Sequence, residues 1–351
     1  MSSRWNWSHA NNSTLRSELH GAGSMMKRII QILAALLVVQ LVITVVVYWP
    51  RSSQAGGGPV FPDLDRESIV GLTVSDSEGN QVRLVKKAGS WVLPEADDYP
   101  AQESNVTALL DKLLELNTNR LITQTPGSHA RLQVADDEFV RRIEFETQEG
   151  KAYTVYLGSS PRAGATHFRL AGQDEVYLAG GLSSFDAAAQ PARYIDTGYI
   201  SLPPSEIVRL ELKNAQGTVT FAKDENGDWT MEGVEEGQSP DGGAIQALVN
   251  RASSLNMTRP VARMEKEACT VAEPQAVVTM TREKEGQTNT YTITVGAKGE
   301  DGQYLVRYSG AQYCVEAAEY TVSDFINKAA PDFILTPTPT PEAPATPAEG
   351  S

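Results

Sequence analysis

The sequence predicts an α+β chain. It reads as one domain duplicated in tandem, each copy an antiparallel twisted sheet with one main packing helix, preceded by a single transmembrane helix. Three observations carry this expectation. Similar segments recur at an offset of 138, each copy holds one amphipathic helical stretch among short alternating apolar runs, and residues 29–49 contain no charge.

Residues 29–49 read IIQILAALLVVQLVITVVVYW. At a rise of about 1.5 Å per residue, such a helix matches the roughly 30 Å hydrocarbon core of a bilayer. Tyr48 and Trp49 would sit at the interface and Pro50 ends the run. Lys27 and Arg28 before it place residues 1–28 in the cytoplasm and the bulk of the chain outside it. Met25 and Met26 offer an alternative start. A signal peptide cut after Ser53-Gln54-Ala55 competes with this reading, but the apolar run is longer than a usual signal core. The expectation is a signal-anchored, single-pass cell-membrane protein with an extracytoplasmic bulk and the lipid bilayer as one partner.

Residues 50–65 are rich in Gly, Ser and Pro and read as a flexible stalk. Residues 335–351, LTPTPTPEAPATPAEGS, read as an extended Pro/Thr-rich tail with nothing to bury. The net charge of −14 argues against nucleic acid, whose phosphates are bound by clustered cations. Two cysteines exclude a four-cysteine metal site.

The repeat defines domains over 66–199 and 204–334. Residues 69–74 (IVGLTV) return at 207–212 (IVRLEL), Trp91 at Trp229, and 153–158 (YTVYLG) at 291–296 (YTITVG). Asn117 and Arg120 fall on Asn256 and Arg259 after a one-residue slip, and Arg169 falls on Arg307. Within copy one, strands are expected at 69–74, 81–86, 90–93, 140–147, 151–157, 166–170 and 175–179. The main helix is expected over 104–117, with Ser104 as N-cap, and a short one over 182–189. In copy two the main helix is expected over 241–256. The two tryptophans read as core.

Several of these residues resemble the bacterial domain-of-unknown-function family numbered 4340. They are Trp91-Val-Leu-Pro94, Asn105-Val-Thr-Ala-Leu-Leu110, Leu121-Ile122, the Tyr153-x-x-x-Leu-Gly158 strand end, Phe168-Arg169-Leu170 and Val176-Tyr-Leu178. The resemblance extends over nearly all of 66–334. It implies a membrane-anchored accessory protein and, because some members occur with ABC-type transport systems, an ABC permease as one possible partner class. The family's usual Gly-Leu-x-x-Pro turn is degraded to Leu132-Gln-Val-Ala-Asp136 in copy one and to Val271-Ala-Glu-Pro274 in copy two.

No catalytic, cofactor or metal motif emerges. His129 and His167 have no histidine counterpart in copy two, and the Asp224-Glu-Asn-Gly-Asp228 run lacks the glycine position of a calcium loop and reads as a hairpin turn. The acidic groups Glu95, Asp97, Asp98 and Glu232, Glu235, Glu236 read as solvated loops. Arg120, Arg169, Arg259 and Arg307 are candidates for binding an anion or a partner, against a plainer reading of Arg169 and Arg307 as cross-strand ion pairs. Cys269 and Cys314 are both in copy two and absent together from copy one. They predict one disulfide, against two separately buried thiols. The favoured function is a non-enzymatic, membrane-tethered binding or accessory module for an envelope component; the alternative is an envelope hydrolase with an atypical carboxylate site.

Overall fold

Apolar residues alternate along 69–76 and 207–214, and each segment becomes a central strand. The computed structural model describes residues 57–335. In the first half, β1 (Ile69–Asp76), β2 (Gln81–Lys87), β3 (Ser90–Leu93), β4 (Tyr99–Pro100), β5 (Leu121–Thr123), β6 (Arg141–Thr147), β7 (Ala152–Leu157), β8 (Ala165–Leu170) and β9 (Val176–Gly180) form one antiparallel sheet. Its order is β4-β3-β2-β1-β6-β7-β8-β9-β5. The second half has β11 (Ile207–Asn214), β12 (Gly217–Lys223), β13 (Trp229–Met231), β15 (Arg259–Arg263), β16 (Ala276–Lys284), β17 (Gln287–Lys298), β18 (Tyr304–Tyr308) and β19 (Tyr313–Ala317). Their order is β13-β12-β11-β16-β17-β18-β19-β15. Between the halves, β10 (Gly198–Ser201) pairs with β14 (Ser254–Asn256).

The two large sheets follow the same path. In each, the first strand lies between its hairpin partner (β2 or β12) and a later strand (β6 or β16), while β5 or β15, earlier in the chain after the main helix, lies at the far edge. Both central strands slip register at the same place, between Ile69 and Gly71 and between Ile207 and Arg209.

Helix α1 (Glu103–Leu114) buries Val106, Leu109, Leu110 and Leu113. Its counterpart α3 (Gly242–Ser253) buries Ile245, Leu248, Val249 and Ala252. Both stripes join one apolar core that includes Trp91, Trp229 and the inward residues of both sheets. Two further helices are α2 (His129–Leu132) and α4 (Glu319–Asn327).

The fold class is corrected: the chain is mainly β, built on three antiparallel sheets, with helices of at most twelve described residues. Short apolar runs, many of them β-branched and closed by Gly-containing turns, favour hairpins and leave little sequence for helix. The expected short helix over 182–189 is a turn instead. Ser183 donates from both its amide (2.9 Å) and its hydroxyl (2.7 Å) to the Asp186 carboxylate, an alternative to helical pairing. Ser104 does not cap α1; it lies inside the helix, whose N-cap is Gln102. In α3 the Asp241 carboxylate does cap, accepting from the amides of Gly243 and Ala244.

The membrane placement is also corrected. The run 29–49 lies outside the described residues, and among those described no helix is long and apolar enough to cross a membrane. A single-pass anchor and the localisation built on it therefore have no structural support. The end of the expected stalk is part of the first half: Pro59 bridges to Asn117, the Val60 amide bonds the Leu116 carbonyl at 2.8 Å, and Phe61 is buried.

Candidate functional site

The chemistry of the site starts from a short acidic stretch after the first tryptophan strand. Pro94 opens a single 3-10 turn ending at Ala96, which is buried. Asp97 and Asp98 then both take left-handed backbone angles (φ 52° and 61°), a conformation Asp tolerates better than most residues. That reversal returns the chain as edge strand β4, where Pro100 needs no ladder donor and Tyr99 pairs with Leu93. The acidic loop, expected to be merely solvated, is a contact between the halves.

Across the junction, the Arg263 amide donates to the Asp97 carboxylate at 3.1 Å, and Lys266 lies 3.9 Å from its other oxygen. The Tyr99 and Tyr313 rings meet edge to face, with centroids 4.9 Å apart. The Arg263 guanidinium sits 4.9 Å from the Tyr313 ring centroid. From the connecting strand, the Tyr199 hydroxyl donates to the Tyr313 carbonyl at 2.7 Å and accepts from the Tyr308 amide at 3.0 Å.

These groups surround an open cleft of about 470 Å³ walled by Tyr99, Gln102, Asp196, Tyr199, Gln312 and Tyr313. Burial, with a contribution from the nearby Asp196 charge, raises the Tyr99 phenol above its ordinary range. Burial raises Tyr199 further. Both therefore stay protonated at neutral pH, and the lining combines three tyrosines and two glutamines with a single carboxylate, Asp196.

The four candidate arginines do not converge. Arg169 is buried (4% exposed) beneath the segment 132–136. Its Nε donates to the Val134 carbonyl at 2.6 Å, it pairs with Asp136, and its guanidinium lies over Tyr156. Arg307, its counterpart, has a buried Nε with no hydrogen-bond partner among the described residues. Arg259 is held by both oxygens of Glu316, at 2.5 and 2.7 Å. Arg120 is exposed next to Leu121 and Ile122 on edge strand β5.

Cys269 and Cys314 are bonded, with Cα atoms 5.7 Å apart, and tie the segment after β15 to the outer face of β19. At the matching place in the first half Val176 packs with Leu132 and Val134 in a small apolar cluster, where the second half has the covalent bridge. Gly158 allows the first-half segment to cross closely, because a Cβ there would strike the Leu132 carbonyl oxygen.

His129 contacts the Asp174 carbonyl at 3.0 Å. His167 is buried, with Nδ1 3.1 Å from the Ser159 hydroxyl, which also reaches the Leu132 carbonyl at 3.2 Å. The Asp224 carboxylate accepts from the amides of Asn226 and Asp228, closing the hairpin. Among the described residues no group of three or more His, Cys, Asp or Glu is arranged to hold a metal ion.

A family model described as a domain of unknown function, DUF4340, matches residues 91–274. The match is single and narrower than 66–334; it starts at the Trp91 strand and ends before β16, so it takes in parts of both halves. No curated protein and no solved structure matches the chain.

Proposed function

The chain belongs to the DUF4340 family, and we propose that it is a non-enzymatic binding module, made of two copies of one domain, that receives a partner protein at the cleft between them. The observation that carries this reading is the cleft itself. Residues from both halves and from the connecting strand build it, Tyr199 is held in its wall by two hydrogen bonds at its hydroxyl, and it is roomy enough for a side chain or small ligand. Tyrosine-rich walls with one charged group are typical of recognition surfaces, where rigid rings give contact area at low entropic cost. Duplication supports the reading too, since neither half forms the cleft alone. The family's occurrence with ABC-type transport systems makes a component of such a system the first partner to test.

The hydrolase alternative would draw on the Ser159–His167 contact. A serine nucleophile needs a base oriented by a third group. Among the described residues no carboxylate hydrogen-bonds His167, and Ser159 is also engaged with the Leu132 carbonyl. We read the pair as a brace for the segment over the sheet.

The test is photo-crosslinking in the native cell, with a benzophenone amino acid at Gln312 in the cleft or at Glu285 on the distant β16–β17 turn. A protein captured from Gln312 and not from Glu285 supports the reading. Equal capture from both, or none from Gln312, contradicts it.

A further inference from the structure

We propose that the cleft takes an organic cation, an alkylammonium or guanidinium head on a short apolar stem. This rests on the cleft being the binding site, and it deepens that reading by naming the ligand chemistry.

Three rings supply the surface. Tyr99 and Tyr313 are fixed edge to face, and Tyr199 is anchored at its hydroxyl, leaving its ring in the wall. The faces of such rings are negative and attract cations. The Arg263 guanidinium lies over Tyr313 without lining the cleft, so that ring already holds one cation and Tyr99 and Tyr199 carry most of the free aromatic surface.

Asp196 supplies the charge. Its Oδ1 accepts from the Gly198 amide at 2.9 Å, and the residue is exposed and lines the cleft. Among the described residues it forms no ion pair, whereas Asp97 and Asp98 nearby are matched to Lys266 and Lys87. Asp196 is the one charged residue lining the cleft, and beside the tyrosine rings it opposes an anion and favours a cation whose alkyl part contacts them. A neutral apolar ligand would gain nothing from Asp196.

The cation could belong to a free small molecule or to a partner's side chain, and the experiment separates these. Tyrosine ring resonances of the full chain are followed by NMR during titration with choline, with its neutral isostere 3,3-dimethylbutan-1-ol, and with N-acetyl-arginine amide. Choline or the arginine derivative should shift the cleft tyrosines saturably, the neutral isostere should not, and the stronger of the two cations identifies the source. Asp196→Asn keeps an oxygen for the Gly198 amide while removing the charge, and should weaken cation binding roughly tenfold with the fold intact. Equal binding of the neutral isostere, unchanged affinity in Asp196→Asn, or no saturable shift from either cation would overturn the proposal. Crosslinking from Gln312 would still decide the partner reading on its own.

Discussion

Tyr194 and Phe333 hold the same place at the ends of the two halves. Each is fully buried, and the carbonyl of each accepts from the residue that starts the main helix: Gln102 to Tyr194 at 2.7 Å, Asp241 to Phe333 at 2.8 Å. The difference is one hydroxyl, and the Tyr194 hydroxyl is buried with no partner among the described residues. A buried, unpaired polar group costs about 1–3 kcal/mol. Tyr194→Phe, which copies the second half, should raise the unfolding free energy by about 1 kcal/mol in urea titration. A loss of stability would mean the hydroxyl has a partner.

Arg169 and Arg307 should respond differently to truncation. Arg169→Ala removes the donor to Val134 and the contact with Tyr156, and leaves the segment 132–136 without its tie. A loss of about 2–3 kcal/mol is expected. Arg307→Ala removes a group whose Nε is already unmatched, so its effect should stay within about 1 kcal/mol. Equal losses in the two variants would refute the division of roles.

The Cys269–Cys314 bridge closes a 45-residue separation next to the strand that meets Asp97. The paired Cys269→Ser, Cys314→Ser variant should lose about 2–4 kcal/mol. Amide exchange should also quicken at Arg263, because β15 loses the segment clamped against it. Protection at Arg263 unchanged from wild type would separate the bridge from the junction.

Acid should weaken the first half through Asp136. The hydrogen bond from Arg169 holds this carboxyl below its ordinary range. With the folded value below the unfolded one of about 3.9, the stabilisation is complete above the unfolded value and lost as pH falls through the folded value. The urea midpoint should stay level from about pH 7 to 5 and fall below about pH 4. Asp136→Asn should flatten part of that fall. An identical acid slope in the variant would assign the loss to other carboxylates.

Much of the sheet was legible because period-two alternation is a local signal: β1, β2, β3, β6, β7, β8 and β9 lie close to their expected positions, and the apolar spacing of 106–113 marked α1. The overall class was less legible, because the helical stripe is a strong local signal whereas several strands (β4, β5, β10 and β14) have two to four residues and no readable period. The disulfide was accessible from the joint absence of both cysteines in the first half. The cleft was not. Its tyrosines, Tyr99, Tyr199 and Tyr313, come from three separate segments, and the role of Asp97 depends on a left-handed backbone and on Arg263 in the other half. The paired aspartates before Tyr99-Pro100 were the available sign, because Asp is among the few residues at ease in that conformation.

Partner binding at the cleft is read out by the yield of the Gln312 crosslink in the native cell, compared between the otherwise wild-type chain and Tyr99→Ser. Serine removes the ring that meets Tyr313 and lines the cleft, while the Asp97 contact to the Arg263 amide remains available to hold the halves together. If the cleft is where the partner binds, the crosslinked fraction should drop about tenfold, as for loss of an aromatic contact at the centre of an interface, at unchanged protein level. A crosslinked fraction equal to that of the otherwise wild-type chain would mean that the partner does not bind in the cleft.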